Sequence, residues 1–175
     1  VAPAEGTGRL GAFCAEWRIG KVRDVVAGGA TRQDSVRAGI EAADGDVIAI
    51  HDAARLLVTP EIIERGIALA RETGAALCAT PARDTVKQAA GNPPVVAATP
   101  ERAAMWLAQT PQIFARDLIL RAHREATSTA TDDAALVEAL GHEVRLYEGA
   151  PWNIKVTTPE DIIIAEALIR ARLAA

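Results

Sequence analysis

Residues 46–80 of the chain, DVIAIHDAARLLVTPEIIERGIALARETGAALCAT, decide its fold. The short apolar runs 46–50 and 75–80 are typical of strands that are covered on both faces. Between them, Thr59 followed by proline predicts a helix start, and Gly74 predicts the helix end. A strand, a helix and a second strand in this order predict a βαβ crossover.

The same alternation extends to both sides of this stretch. It predicts a mainly parallel sheet with helices on both faces, which is a Rossmann-like, three-layer α/β fold. We expect residues 1–175 to form a single domain. The further predicted elements are a strand at 21–27, helices from Asp34, at 117–127, at 133–140 and from Thr158, and a strand at 143–147.

Residues 82–98 break the alternation. Extended runs at 84–87 and 95–98 flank the turn-rich sequence GNPP at 91–94. This pattern predicts a β-hairpin arm that leaves the domain. Because a two-stranded hairpin is marginally stable alone in water, we expect the arm to pack on a second subunit and form a homodimer.

Charge and composition exclude several classes of function. The net charge of −4 argues against general nucleic-acid binding. No apolar run approaches the ~20 residues that span a bilayer, and the first ten residues lack the pattern of a signal peptide. Two isolated cysteines, expected to be buried thiols, give neither metal-ligand spacing nor a disulfide framework. A cytoplasmic protein without nucleic-acid or membrane partners is expected.

Three polar segments are candidates for the chemistry: residues 28–35 (GGATRQDS), 51–55 (HDAAR) and 153–157 (NIKVT). Open parallel sheets bind ligands outside the carboxyl ends of their strands, so these segments could hold phosphates and a metal together. Taken singly, they could also be a turn, a local ion pair and a solvated lysine. The histidines are expected to be structural (His51) or to lie on helix surfaces (His123 and His142).

Six segments occur in the order and at the intervals found in the 2-C-methyl-D-erythritol 4-phosphate cytidylyltransferases, which the chain resembles from about residue 21 to residue 168. They are GGATRQDSV (28–36), HDAAR (51–55), ARDTVK (82–87), LAQTPQIF (107–114), TDDA (131–134) and NIKVTTPED (153–161). The resemblance implies a CTP-dependent nucleotidyltransferase of isoprenoid precursor biosynthesis. Such an enzyme joins CTP to methylerythritol phosphate, giving 4-diphosphocytidyl-2-C-methyl-D-erythritol and pyrophosphate, with Mg²⁺ as its cofactor.

The resemblance also implies residue roles. It makes Asp52 a ligand that places Mg²⁺ and the phosphates, and it makes Lys155 a contact of the reacting phosphate. Arg55 would lie beside methylerythritol phosphate. The implied CTP contacts are Ala30, Arg32, Ser35 and Asp52. The implied substrate contacts are Arg55, Thr85, Arg102, Thr110, Thr131 and Lys155, with Thr85 and Arg102 acting across the dimer interface.

These residue types suit the reaction. The nucleophile is already an anionic phosphate oxygen, so no Ser, Cys or His has to be activated. The transition state needs positive charge around the α-phosphorus and the leaving pyrophosphate, which Lys155 and a metal held by Asp52 can supply. Arg55 and Arg102 can bind the attacking monoester through two parallel hydrogen bonds.

The sequence departs from the family at its start, where relatives carry a strand and a Gly-rich loop that cradles the CTP triphosphate. We therefore expect an N-terminally incomplete domain, with doubtful activity as it stands. Leu56 also replaces a usual proline. Two alternatives stay open: a cytidylyltransferase for another polyol phosphate such as ribitol 5-phosphate, and a non-catalytic nucleotide- or sugar-phosphate-binding module. The sequence also leaves open a fusion to the cyclodiphosphate synthase found beside some relatives.

Overall fold

The computed structural model describes residues 1–173 and contains a four-stranded sheet between helices and a separate two-stranded hairpin. The helices are α1 (Thr7–Glu16), α2 (Arg32–Ala42), α3 (Pro60–Thr73), α4 (Arg116–Glu125), α5 (Asp133–Ala139) and α6 (Pro159–Leu173). The strands are β1 (Val47–Ile50), β2 (Ala75–Pro81), β3 (Gln88–Ala90), β4 (Val95–Ala98), β5 (Trp106–Ala115) and β6 (Arg145–Glu148). Short 3-10 turns lie at Ala4–Gly6 and Arg102–Ala104.

The sheet has the strand order β1-β5-β2-β6. Helices pack on both of its faces, and the resulting three layers confirm the predicted α/β fold. Adjacent residues of β5 face opposite sides, as strand geometry requires. Ile113 packs with Ala70 of α3 on one face. Phe114 packs with Ile119 of α4 and Val137 of α5 on the other face.

The prediction of parallel pairing needs a correction. Strands β1, β2 and β6 run in one direction, but β5 lies between β1 and β2 and is antiparallel to both. The chain reaches β5 from the arm rather than through a crossover helix, and a hairpin-like return reverses the strand direction. The sequence did not predict β5, because Pro111 lies in its middle and proline argues against a central strand.

Several local predictions are confirmed. Thr59 and Gly74 flank α3, and Gly74 has the left-handed φ of 86° that favours glycine at a helix end. The β2 strand is buried from Ala75 to Ala79, as predicted for a strand covered on both faces. The same prediction is wrong for β1, where Ala49 is exposed and lines an open cavity.

The predicted strand at 21–27 is wrong. In this region only Ala27 forms an isolated parallel bridge, to Ala2. Residues 21–24 are exposed, and a β-branched run becomes a strand only where a neighbouring strand packs against it. The α2 cap also differs, since Thr31 is the cap and Asp34 completes a capping box with it.

Two histidines and one cysteine were also predicted incorrectly. His123 is buried on the inner side of α4 rather than on its surface. His142 follows α5 and lies 3.0 Å from the carbonyl oxygen of Thr73, so it caps a neighbouring element. Cys78 is buried as predicted, but Cys14 is only partly buried; both thiols are free.

The hairpin arm is confirmed, with its first strand shifted to β3 from the predicted 84–87. All residues of β3 and β4 are exposed, including Val95 at 63 % and Val96 at 64 %. Within residues 1–173, no helix combines the length and the apolar character that crossing a membrane requires.

Candidate active site

The three parallel strands end at the same edge of the sheet, and the predicted site segments meet there. Residues 51–55 follow β1, residues 82–85 follow β2, and residues 149–156 follow β6. Two hydrogen bonds join the first and last of these segments. The Val156 amide donates to the Ala54 carbonyl at 2.9 Å, and Arg55 Nη1 donates to the Asn153 carbonyl at 2.7 Å.

Asp52 is the centre of a group of cations. Its carboxylate lies 2.8 Å from Lys155 Nζ and 3.7 Å from Arg32 Nη2, and its side chain is 17 % exposed. Burial would raise the pKa of Asp52, but the hydrogen bond from Lys155 and the charges of Lys155, Arg32 and Arg55 outweigh it. The pKa therefore lies below its usual value, and the Asp52 carboxylate is ionised at neutral pH.

Arg55 is half-buried and held by backbone carbonyl groups. Besides the Asn153 contact, its Nη2 donates to the Ala108 carbonyl at 3.4 Å. Its Nε atom is buried without a hydrogen-bond partner. These contacts fix the plane of the guanidinium at the wall of the site.

Thr110 connects β5 to the segment after β1. Its Oγ1 accepts a hydrogen bond from the Asp52 amide at 3.0 Å and lies 3.0 Å from His51 Nδ1. The other ring nitrogen of His51 lies 3.1 Å from the Arg55 carbonyl oxygen. His51 therefore has the hydrogen-bonded, structural position that the sequence predicted.

A buried pair of amide side chains organises the site, and sequence reasoning did not single it out. Asn153 Nδ2 donates to Gln109 Oε1 at 3.1 Å and to the Thr110 carbonyl at 2.9 Å. Gln109 also bonds both backbone groups of Ala150, at 2.9 and 3.3 Å. The pair fixes the loop that carries Lys155. The sequence signal was the segment LAQTPQIF, which the family resemblance includes without a role for Gln109.

Two neighbouring cavities contain most of the predicted site residues. The smaller, of about 300 Å³, is lined by Arg32, Asp52, Arg55, Thr110, Thr131 and Lys155, among others. The larger, of about 640 Å³, shares Arg55 and Lys155 and adds Thr85. The sharing of two cations suggests that the cavities form one extended site.

The remaining predicted residues lie farther out. Ser35 lines a third cavity of about 460 Å³ together with Arg32 and Asp52. Ala30 is exposed in the loop before α2. Arg102 lies at the base of the arm and donates to the Arg83 carbonyl at 3.1 Å. In the described part of the chain, neither Ala30 nor Arg102 lines these cavities.

Comparison with known proteins identifies the family. A family model described as 2-C-methyl-D-erythritol 4-phosphate cytidylyltransferase matches residues 13–171. The chain belongs to this family. The enzyme of this name from Geobacter metallireducens is 47 % identical over 92 % of the chain and 74 % of its own length. The family and its cytidylyltransferase reaction, as predicted from sequence, are thus confirmed.

Two further comparisons agree with this membership. The crystal structure of the cytidylyltransferase from Thermus thermophilus superposes with a TM-score of 0.75 at 40 % identity, covering 82 % of this chain and 71 % of that one. A bifunctional enzyme IspD/IspF from Rhodopseudomonas palustris is 51 % identical over 86 % of this chain, which matches 39 % of that protein. The chain spans about two thirds to three quarters of the single-function relatives.

Proposed function

We propose that this chain forms the substrate site of an enzyme that transfers the cytidylyl group of CTP to 2-C-methyl-D-erythritol 4-phosphate and releases pyrophosphate. The observation that carries the proposal is the convergence of Arg32, Arg55 and Lys155 on one ionised carboxylate, Asp52. Three cations gathered at one sheet edge in a protein of net charge −4 form a concentrated site for anions.

In this mechanism Lys155 acts on the charge that develops during transfer. The phosphate oxygen of the substrate attacks the α-phosphorus of CTP, and the α–β bridging oxygen leaves with pyrophosphate. The Lys155 ammonium is held by Asp52 at the boundary of the two cavities. There it can stabilise the negative charge on the oxygens around the α-phosphorus in the transition state. No proton has to be removed from the nucleophile, so the site needs no general base.

The two reactants would occupy different parts of the extended site. Arg55, Thr85, Thr110 and Thr131 line the cavities where we place the sugar phosphate. We assign CTP to the side of α2, in contact with Ala30, Arg32 and Ser35, with its phosphates reaching the part of the smaller cavity that Arg32 lines. The position of Arg55 supports this division, because backbone carbonyl groups hold its guanidinium at the wall shared by the two cavities, where its positive charge can attract a phosphate monoester.

The donor set fits Mg²⁺ shared with a substrate. Asp52 is an ionised carboxylate facing the smaller cavity, whereas residues 1–173 contain no group of three or more His, Cys, Asp or Glu side chains that would form a closed metal site. Mg²⁺ is often held by one or two carboxylates together with phosphates. We infer that Asp52 would hold the ion, which when bound would neutralise charge on the phosphates.

We also propose that two copies pair through their arms. The exposed valines of β4 support this, because a free hairpin with an apolar surface is marginal in water. Arg102, at the base of the arm, would then bind substrate in the partner's site. We place the enzyme in the cytoplasm, where CTP is available and free thiols such as Cys78 are stable.

The test is the identity of the product. The full-length gene product, including any residues that flank this chain, should convert CTP and methylerythritol phosphate into pyrophosphate and the diphosphocytidyl product in the presence of Mg²⁺. Phosphorus NMR would follow both products. Equal turnover with ribitol 5-phosphate would favour the other polyol phosphate, and binding without turnover of any polyol phosphate would favour the non-catalytic module.

A further inference from the structure

Two ionisable side chains are buried together where α4 packs against α5. His123 Nε2 lies 3.1 Å from Asp133 Oδ1, and each side chain is only 1 % exposed. Such a pair costs free energy of desolvation, and an apolar pair of similar volume would fill the same space without that cost. Its presence beside the candidate site therefore calls for a role in that site.

The pair keeps a negative charge that its own members do not neutralise. Nδ1 of His123 is buried without a hydrogen-bond partner. An unpaired lone pair costs less in an apolar environment than an unpaired N–H donor on a charged ring. The geometry therefore favours the neutral imidazole, with its proton on Nε2 donated to Asp133. The Asp133 carboxylate then needs a cation from another element.

Arg32 is that cation. Its Nη2 lies 2.9 Å from Asp133 Oδ2, compared with 3.7 Å from Asp52 Oδ1. The contact with Asp133 is an ion pair without hydrogen-bond alignment, since Oδ2 accepts no hydrogen bond. A second contact fixes the same region, because Gln33 Oε1 accepts a hydrogen bond from the Ala130 amide at 3.1 Å.

We propose that Asp133, oriented by His123, is a positioning residue for Arg32. It keeps the guanidinium closer to Asp133 than to Asp52, at the wall of the 300 Å³ cavity, where the guanidinium binds a phosphate of the nucleotide. Without the charge of Asp133, Arg32 pairs with Asp52 and competes with Lys155 for that carboxylate. This inference rests on the proposed function for the identity of the ligand, but the contact itself does not.

The experiment is a double-mutant cycle on the full-length gene product, with CTP affinity measured by calorimetry. Asp133→Asn should weaken CTP binding about tenfold, the size of one lost charge-assisted contact. Arg32→Met should weaken it similarly, and the double variant should bind no more weakly than Arg32→Met alone. His123→Gln keeps a donor for Asp133 and should retain most of the affinity that His123→Leu loses.

Unfolding in urea provides an arm that does not depend on the ligand. The two substitutions should be coupled in stability, with a smaller effect of Asp133→Asn once Arg32 is methionine. If the two substitutions changed the free energy of unfolding independently, the contact between Arg32 and Asp133 would be excluded. If the wild-type protein fails to bind CTP while the coupling is present, the proposed function fails and the pair stands as structural only. Normal CTP affinity in Asp133→Asn would overturn the positioning role.

Discussion

Different interactions stabilise two regions of the molecule, the charged edge of the sheet and the hairpin arm. Around Lys155, the backbone is fixed by buried side chains, with Asn153 fully buried and Gln109 8 % exposed. The arm is held by the pairing of β3 with β4 and by exposed contacts at its base, and every residue of its strands is exposed. A preorganised site can be built within one chain, whereas an exposed hairpin needs a second surface.

The largest expected effect concerns Lys155. Removing one preorganised transition-state donor costs about 10²–10³ in turnover, or roughly 3–4 kcal/mol, so Lys155→Ala should lower kcat by this factor with a smaller change in KM. Lys155→Arg should recover only part, because a planar guanidinium does not reproduce a point charge. The exposed Lys21 provides the control, and Lys21→Ala should leave kcat unchanged. A variant that loses affinity but keeps turnover would mean that Lys155 only holds substrate.

The next effect tests the buried amide pair. Gln109→Leu keeps a similar volume but leaves the Asn153 amide and the Ala150 backbone without their partners. It should lower the free energy of unfolding by about 2–3 kcal/mol and reduce kcat, because the Lys155 loop loses its anchor. Gln88→Leu, on the exposed arm, should change the free energy of unfolding by less than about 0.5 kcal/mol. If Gln109→Leu and Gln88→Leu lowered the free energy of unfolding equally, the sheet edge would not be held more firmly than the arm.

A smaller effect is expected on the arm itself. Placing a lysine at Val96, which is 64 % exposed, should raise the dissociation constant of the dimer about tenfold, because a charge would enter an apolar interface. Sedimentation velocity would measure this change. Gln88→Lys adds the same charge to the arm without removing apolar surface and should weaken the dimer less. An unchanged sedimentation profile for Val96→Lys would exclude β4 from the interface.

The smallest effect concerns the cap of α2, next to Arg32. Thr31 accepts a hydrogen bond from the Asp34 amide at 3.1 Å, and Thr31→Ala should cost about 1 kcal/mol in urea unfolding. Thr59 occupies the same position before α3 but makes no capping hydrogen bond with its side chain, so Thr59→Ala should cost less. The reverse order would show that the capping box does not stabilise α2.

Local signals explain the parts of the fold that the sequence predicted. The Thr-Pro start and glycine end of α3, and the apolar run of β2, depend on residues close together in the chain. Strand β5 was missed, because Pro111 interrupts the pattern of a strand that is decided by its two neighbours. The run at 21–27 has a strand composition but lacks such neighbours in the described sheet.

The candidate site, like the fold, was only partly predictable from the sequence. Motif resemblance led to Asp52, Arg55 and Lys155, which the structure brings together. The contacts of Gln109 with Asn153 and of His123 with Asp133 join residues that are 44 and 10 positions apart, and no local pattern encodes them. Buried polar networks of this kind become visible only when the elements that carry them are packed.

The account requires that the charged site of one copy works with the arm of another, and mixed dimers test this directly. Arg102→Ala and Lys155→Ala, each nearly inactive alone, should regain about a quarter of wild-type turnover when mixed in equal amounts. Half of the dimers would then be mixed, and each mixed dimer would carry one intact site of two. No recovery, with subunit exchange demonstrated by a labelled subunit, would place both residues in the site of a single chain and contradict the account.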